Sequence, residues 1–96
     1  MKVYHGTTTK FLARIRREGL RKYSWVTDQK KAAEGFTTWA VERFGGEPVV
    51  IAFSGATPEE MERSAWSLGG NTEGANFWKF KLKPKLTLVS VERMGC

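Results

Sequence analysis

Apolar residues recur at steps of three and four between positions 33 and 44, and this spacing constrains the fold more than any other feature of the chain. Such spacing is typical of an amphipathic helix whose apolar side packs on a core. Asp28 is a suitable N-cap before the pattern, and Gly45 and Gly46 end it. The residues of the pattern are Ala33, Phe36, Thr37, Ala40, Val41 and Phe44.

Shorter patterns in the first half predict three strands and another helix. Thr8 or Thr9 can cap that helix, which carries Phe11, Leu12 and Ile15 on one side, and Gly19 stops it. The predicted strands cover residues 3–4, 23–27 and 49–53.

The second half begins with a capping box, Thr57-Pro58-Glu59-Glu60, which predicts a short helix running to about Ala65. Strands at residues 77–82 and 86–91 close the chain. The resulting order, β-α-β-α-β-(α)-β-β, is typical of an α+β fold rather than a doubly wound parallel sheet.

Length and charge limit the class of protein. Ninety-six residues build one core, so residues 1–96 form a single domain. Sixteen Lys and Arg against ten Asp and Glu give a charge of +6, which favours phosphate-bearing or polyanionic ligands. The longest apolar run is too short to span a bilayer, and the one cysteine, Cys96, has no metal-ligand spacing around it. We therefore expect a soluble cytoplasmic protein without a membrane partner or a metal.

The only histidine, His5, marks the candidate site. It ends the first predicted strand and precedes Gly6 and three hydroxyl residues, Thr7, Thr8 and Thr9. Glycine allows close approach to the backbone, whose N–H and C=O groups then become available to a ligand. An imidazole beside such a turn suits a ribose hydroxyl or an amide. The alternative is a structural histidine, which is the commoner role of a single one.

Three segments in this order resemble the ADP-ribosyltransferase superfamily: Tyr4-His5-Gly6-Thr7-Thr8, then Ile15 to Leu20, then Trp25-Val26-Thr27-Asp28 with Phe36 eleven positions after Trp25. The closer similarity is to the histidine-bearing branch, which includes diphtheria toxin and the poly(ADP-ribose) polymerases. It covers residues 3–53 well and the rest in outline. The resemblance implies a split β-sandwich of two small sheets with flanking helices, and NAD as a substrate.

The resemblance also implies roles for individual residues. Nicotinamide would lie between Trp25 and Phe36, the Gly6 backbone would pair with its carboxamide, and His5 would bind a ribose hydroxyl. Thr7 and Thr8 would add hydroxyl contacts. Aromatic stacking of this kind contributes about 0.5–1.5 kcal/mol beyond area burial. Core packing is the alternative role for both rings.

The family also expects a glutamate at the start of a late strand, and two residues compete for that position. Glu73 would complete a catalytic set with His5 and Trp25, whereas Asn76 would supply no charge. Tyr23, Arg16 and Arg17 are secondary candidates for contact with a diphosphate.

These expectations lead to an NAD-dependent mono-ADP-ribosyltransferase with a protein or nucleic-acid acceptor. Two alternatives stay open. One is a catalytically inactive module that binds NAD, ADP-ribose or a nucleic acid. The other is an enzyme resembling the RNA 2′-phosphotransferases, whose basic residues have no evident counterparts here.

Overall fold

The computed structural model describes residues 1–64 and 75–93, which form an α+β fold with two α-helices and one sheet. The α+β class is therefore as predicted. The elements in chain order are β1 (Val3–Thr8), α1 (Thr9–Glu18), β2 (Trp25–Thr27), α2 (Lys30–Phe44), β3 (Pro48–Ser54), a 3-10 turn (Pro58–Glu60), β4 (Met61–Ser64), β5 (Phe77–Phe80) and β6 (Thr87–Arg93).

The sheet has the order β4-β5-β2-β1-β3-β6, and all neighbouring strands are antiparallel. β1 pairs with β3 along its whole length, from Val3 opposite Phe53 to Thr8 opposite Pro48. Its ladder with β2, by contrast, contains the single pair Tyr4–Thr27. The sheet therefore consists of two three-stranded halves, β6-β3-β1 and β2-β5-β4, with a narrow connection between them.

The expectation of two separate small sheets is wrong, because the halves share one hydrogen-bonded ladder. The edges of β1 and β2 approach closely enough for one backbone pair and for a bond from the His5 ring to the Trp25 carbonyl. Buried backbone groups need partners, and these contacts supply them at the junction.

The prediction of a short helix at residues 57–65 is also wrong. The capping interaction is present, with the Thr57 N–H donating to Glu60 Oε1 at 3.1 Å, but it supports only a 3-10 turn. The chain then continues as β4, which pairs with β5 from Met61 opposite Phe80. Met61 is buried in the core. Pairing with β5 gives this segment more backbone hydrogen bonds than a short helix, which is only marginally stable by itself, would provide.

The two long helices cover the sheet and are capped differently from one another. Thr8 caps α1, since its hydroxyl accepts from the Lys10 N–H at 3.0 Å. Gln29, rather than the predicted Asp28, occupies the N-cap position of α2. The core cluster contains Val3, Leu12, Ile15, Leu20, Val26, Ile51, Phe53, Ala56, Met61 and Phe80.

Helix α2 lies unusually close to β1 at Gly6. A Cβ atom at this position would overlap the backbone carbonyl oxygen of Ala33 and would lie 3.0 Å from Phe36 Cβ. Any side chain here would push the helix away from the sheet. Glycine at position 6 therefore fixes the distance between α2 and the strand that carries His5.

Candidate functional site

A cavity of about 220 Å³ lies between α1 and α2, at the point where β1 and β2 separate. Pockets for drug-sized ligands usually enclose about 300–1,000 Å³. This cavity therefore suits one ring with its substituent, and the rest of a larger ligand would lie outside. Five of the residues predicted from the sequence line it: His5, Gly6, Thr7, Trp25 and Phe36.

His5 is held by a hydrogen bond from its ring to the backbone. Nδ1 lies 2.7 Å from the carbonyl oxygen of Trp25. A carbonyl oxygen can only accept, so Nδ1 carries the proton and a neutral ring presents Nε2 as an acceptor. Burial lowers the pKa of His5 from its ordinary value of 6.5; the nearby Arg14 charge acts in the same direction, and the bond to Trp25 opposes both. The ring is therefore neutral at pH 7.

Gly6 and Thr7 form the strand side of the cavity. Gly6 lies two positions beyond Tyr4, the only β1 residue paired with β2, so this edge of the strand borders the cavity instead of a neighbouring strand. The expected close approach to Gly6 is made by α2 in this structure. Thr7 is buried, with 5% of its surface exposed.

Trp25 and Phe36 enter the cavity from different elements, β2 and α2. Both are half-buried, and neither belongs to the core cluster of the described residues. The edge contact of Phe36 with Phe77 has a centroid distance of 5.7 Å and an interplanar angle of 67°. Both rings therefore line the cavity, and Phe36 also packs against the buried Phe77 ring.

Arg14 is a cavity residue that the sequence analysis did not select. It projects from α1, and its guanidinium carbon lies 5.6 Å from the centroid of the Phe11 ring. Its Nη1 atom is buried without a hydrogen-bond partner, which is true of no other side-chain N or O atom in the described part of the chain. The helical spacing of Phe11, Arg14 and Ile15 could have indicated that Arg14 shares their face.

Four other predicted residues lie away from the cavity wall. The Thr8 hydroxyl is used within the fold, since it donates to the Gly45 carbonyl at 2.7 Å and caps α1. Arg16 and Arg17 line a different surface depression, which they share with Lys83 and Lys85. Tyr23 is 57% exposed, with the ammonium groups of Lys22 and Lys79 beside its ring.

Asn76 is also absent from the cavity wall, because its side chain joins two other residues. Its Nδ2 atom donates to Asp28 Oδ2 at 2.9 Å, and its Oδ1 atom accepts from Arg63 Nη2 at 2.8 Å. Glu73 lies outside the described residues. The described part of the wall contains no aspartate or glutamate, and its charged side chain is Arg14.

Three further aromatic residues, Phe11, Trp39 and Phe44, also line the cavity. Phe11 and Phe44 make an edge contact with a centroid distance of 5.0 Å, and Trp39 lies 6.0 Å from Phe44. Trp39 is 54% exposed, so part of this aromatic lining is in contact with solvent.

Within residues 1–64 and 75–93, no helix is long and apolar enough to cross a membrane. The same residues bring together no group of three or more His, Cys, Asp or Glu that could hold a metal ion. The chain matches no protein-family model, no curated protein and no solved structure.

Proposed function

We propose that this protein binds NAD, with the nicotinamide ring in the cavity, and acts as a mono-ADP-ribosyltransferase. The observation that carries the proposal is the meeting of His5, Gly6, Trp25 and Phe36, which come from three separate elements, around one cavity of single-ring size. These are the residues that the resemblance to the histidine-bearing ADP-ribosyltransferases singles out.

Each of the four residues has a role that fits its surroundings. Trp25 and Phe36 would provide aromatic faces for the nicotinamide, and the backbone of Gly6, which lines the cavity, would pair with its carboxamide. Neutral His5 offers Nε2 to a ribose hydroxyl, because Nδ1 is already bonded to the Trp25 carbonyl. The neutral ring can accept from the hydroxyl at Nε2, whereas a protonated ring could only donate to it.

The proposed reaction breaks the bond between nicotinamide N1 and ribose C1′. The electron pair of that bond goes to the pyridine ring, so neutral nicotinamide leaves and positive charge develops on the ribose. The acceptor's nucleophilic atom then bonds to C1′ and loses its proton to solvent. A preorganised carboxylate would stabilise the ribose cation, and Glu73 is the candidate from the sequence.

A second function, NAD or ADP-ribose binding without cleavage, has one observation in its favour. The described part of the cavity wall contains no carboxylate to stabilise a ribose cation. If Glu73 does not supply one, the same cavity would hold the dinucleotide intact.

Nicotinamide release from NAD distinguishes the two functions. We expect release by the wild type, loss of release in Glu73→Gln, and unchanged release in Glu59→Gln, which removes an exposed carboxylate elsewhere. Calorimetric titration with NAD should show that Glu73→Gln still binds and that His5→Ala binds weakly. Binding without release by the wild type would favour the non-cleaving module. NAD affinity unchanged in His5→Ala would overturn the site itself.

A further inference from the structure

Arg14 lines the cavity, and no carboxylate in the described part of the wall balances its charge. The Phe11 ring lies 5.6 Å from its guanidinium carbon, and α1 fixes its backbone. Burying a hydrogen-bond donor without a partner is unfavourable, and the cost is larger for a charged group. A fold that retains such a group at a cavity is suited to a ligand that supplies the missing acceptor.

The residues around Arg14 do not supply this acceptor. The described wall lacks carboxylates, and no described atom accepts a hydrogen bond from Arg14 Nη1. The other arginine of α1 with a described ion pair, Arg17, pairs with Glu18 at 3.3 Å on the exposed side of the helix. Arg14 is therefore the cavity's uncompensated positive charge within the described structure.

We infer that Arg14 is the anion-binding residue of this cavity, and that it pairs with the diphosphate of a nucleotide whose ring lies between Trp25 and Phe36. The inference rests on the proposed NAD site and adds the residue that selects for phosphate. A guanidinium presents paired N–H donors in a planar fork, which matches two oxygens of a phosphate group. The ring of the ligand would fill the cavity, and the diphosphate outside it would supply the hydrogen-bond acceptor that Arg14 Nη1 lacks.

Calorimetric titration of matched arginine variants tests this assignment. The probes are NAD, ADP-ribose, inorganic pyrophosphate and uncharged nicotinamide. We expect Arg14→Gln to lower the affinity for the three phosphate-bearing probes by about tenfold or more and to leave the affinity for nicotinamide unchanged. Arg21→Gln removes the same charge from an exposed position outside the cavity wall and should change the affinity for all four probes by less than about twofold. Arg14→Lys, which keeps the charge without the fork, should lie between wild type and Arg14→Gln.

The outcomes separate this inference from the proposed function. If NAD binds the wild type and Arg14→Gln equally, the role of Arg14 is wrong while NAD binding stands. If pyrophosphate binds in an Arg14-dependent way but NAD does not bind, the proposed function is wrong while the anion site stands. Equal weakening of nicotinamide and NAD would show that Arg14 only shapes the cavity. Equal effects of Arg14→Gln and Arg21→Gln would show that the loss of affinity comes from net charge alone and would overturn the role of Arg14. No binding of any phosphate probe would overturn both.

Urea unfolding without ligand gives a second readout. Arg14→Met removes the unpartnered donor and keeps an unbranched apolar chain, so we expect it to unfold at a higher urea concentration than the wild type. A lower midpoint would mean that the guanidinium stabilises the empty fold, which would contradict a group held for a ligand.

Discussion

The Nδ1 atom of His5 lies 2.7 Å from the carbonyl oxygen of Trp25, across the point where β1 and β2 separate. The bond joins the two halves of the sheet next to their single backbone pair, Tyr4–Thr27. It also sets the proton position on the ring. One side-chain contact therefore links the architecture of the sheet to the hydrogen-bonding chemistry of the cavity.

The stability of the protein should depend on the protonation of His5. The pKa of His5 is lowered by folding, so the unfolded chain binds more protons at pH values between the native pKa and the ordinary value of 6.5. The free energy of unfolding should therefore decrease as the pH falls through 6.5, with a slope of at most about 1.4 kcal/mol per pH unit from this one group.

The His5→Gln variant isolates this contribution, because an amide can still donate to the Trp25 carbonyl but does not titrate. Urea unfolding from about pH 8 to about pH 5 should show a steeper loss in the wild type than in the variant. Parallel curves for the two proteins would contradict a lowered pKa at His5.

Gly6→Ala should be strongly destabilising, because its Cβ would overlap the backbone of Ala33. Backbone atoms cannot move aside like a flexible side chain, so we expect a loss of about 3 kcal/mol in the free energy of unfolding. Gly35→Ala is the control: Gly35 is exposed within α2, where alanine should raise the free energy of unfolding by about 1 kcal/mol. A Gly6→Ala variant as stable as Gly35→Ala would show that the close contact with α2 is unimportant.

Phe36→Leu should weaken binding of NAD and of nicotinamide by about three- to tenfold, the range expected for one lost aromatic stacking contact. Tyr23→Leu serves as the control, because Tyr23 is exposed and lies outside the cavity wall. Fluorescence or calorimetric titration measures both variants. Unchanged affinity in Phe36→Leu would exclude this ring from the binding site.

Asn76→Ala should lower the stability of the fold without affecting the binding or cleavage of NAD. Its side chain connects Asp28 and Arg63, so its removal should cost about 1 kcal/mol of the free energy of unfolding. Nicotinamide release and NAD affinity should stay at wild-type levels, since Asn76 is not part of the described cavity wall. A variant with normal stability and reduced NAD turnover would instead assign Asn76 to the catalytic position.

Much of the first half of the fold was predictable from local patterns. Periodicity and caps located both long helices and the first three strands, because these signals act within a few residues. The turn predicted after His5 is wrong, since β1 continues through Thr8 and pairs there with β3. The meeting of His5, Gly6, Trp25 and Phe36 was predicted from the resemblance, and the structure brings them to one cavity. Their function as an NAD site stays a prediction.

The features that were missed depend on contacts between distant residues. The capping box at Thr57 starts a turn. No helix follows it, because Met61–Ser64 pairs with Phe77–Phe80 as a strand. The join between the two halves of the sheet required the meeting of Tyr4 and Thr27, which no local pattern encodes. Asp28, predicted as an N-cap, instead accepts two hydrogen bonds from Asn76.

Because β1 and β2 share one backbone pair, a ligand in the cavity would affect how firmly the two halves of the sheet are joined. Gly6 belongs to one half of the sheet and Trp25 to the other, so a molecule held by both would add a third link beside the backbone pair and the His5 bond. Such a ligand would stiffen the sheet, and the melting temperature would then rise with ligand concentration.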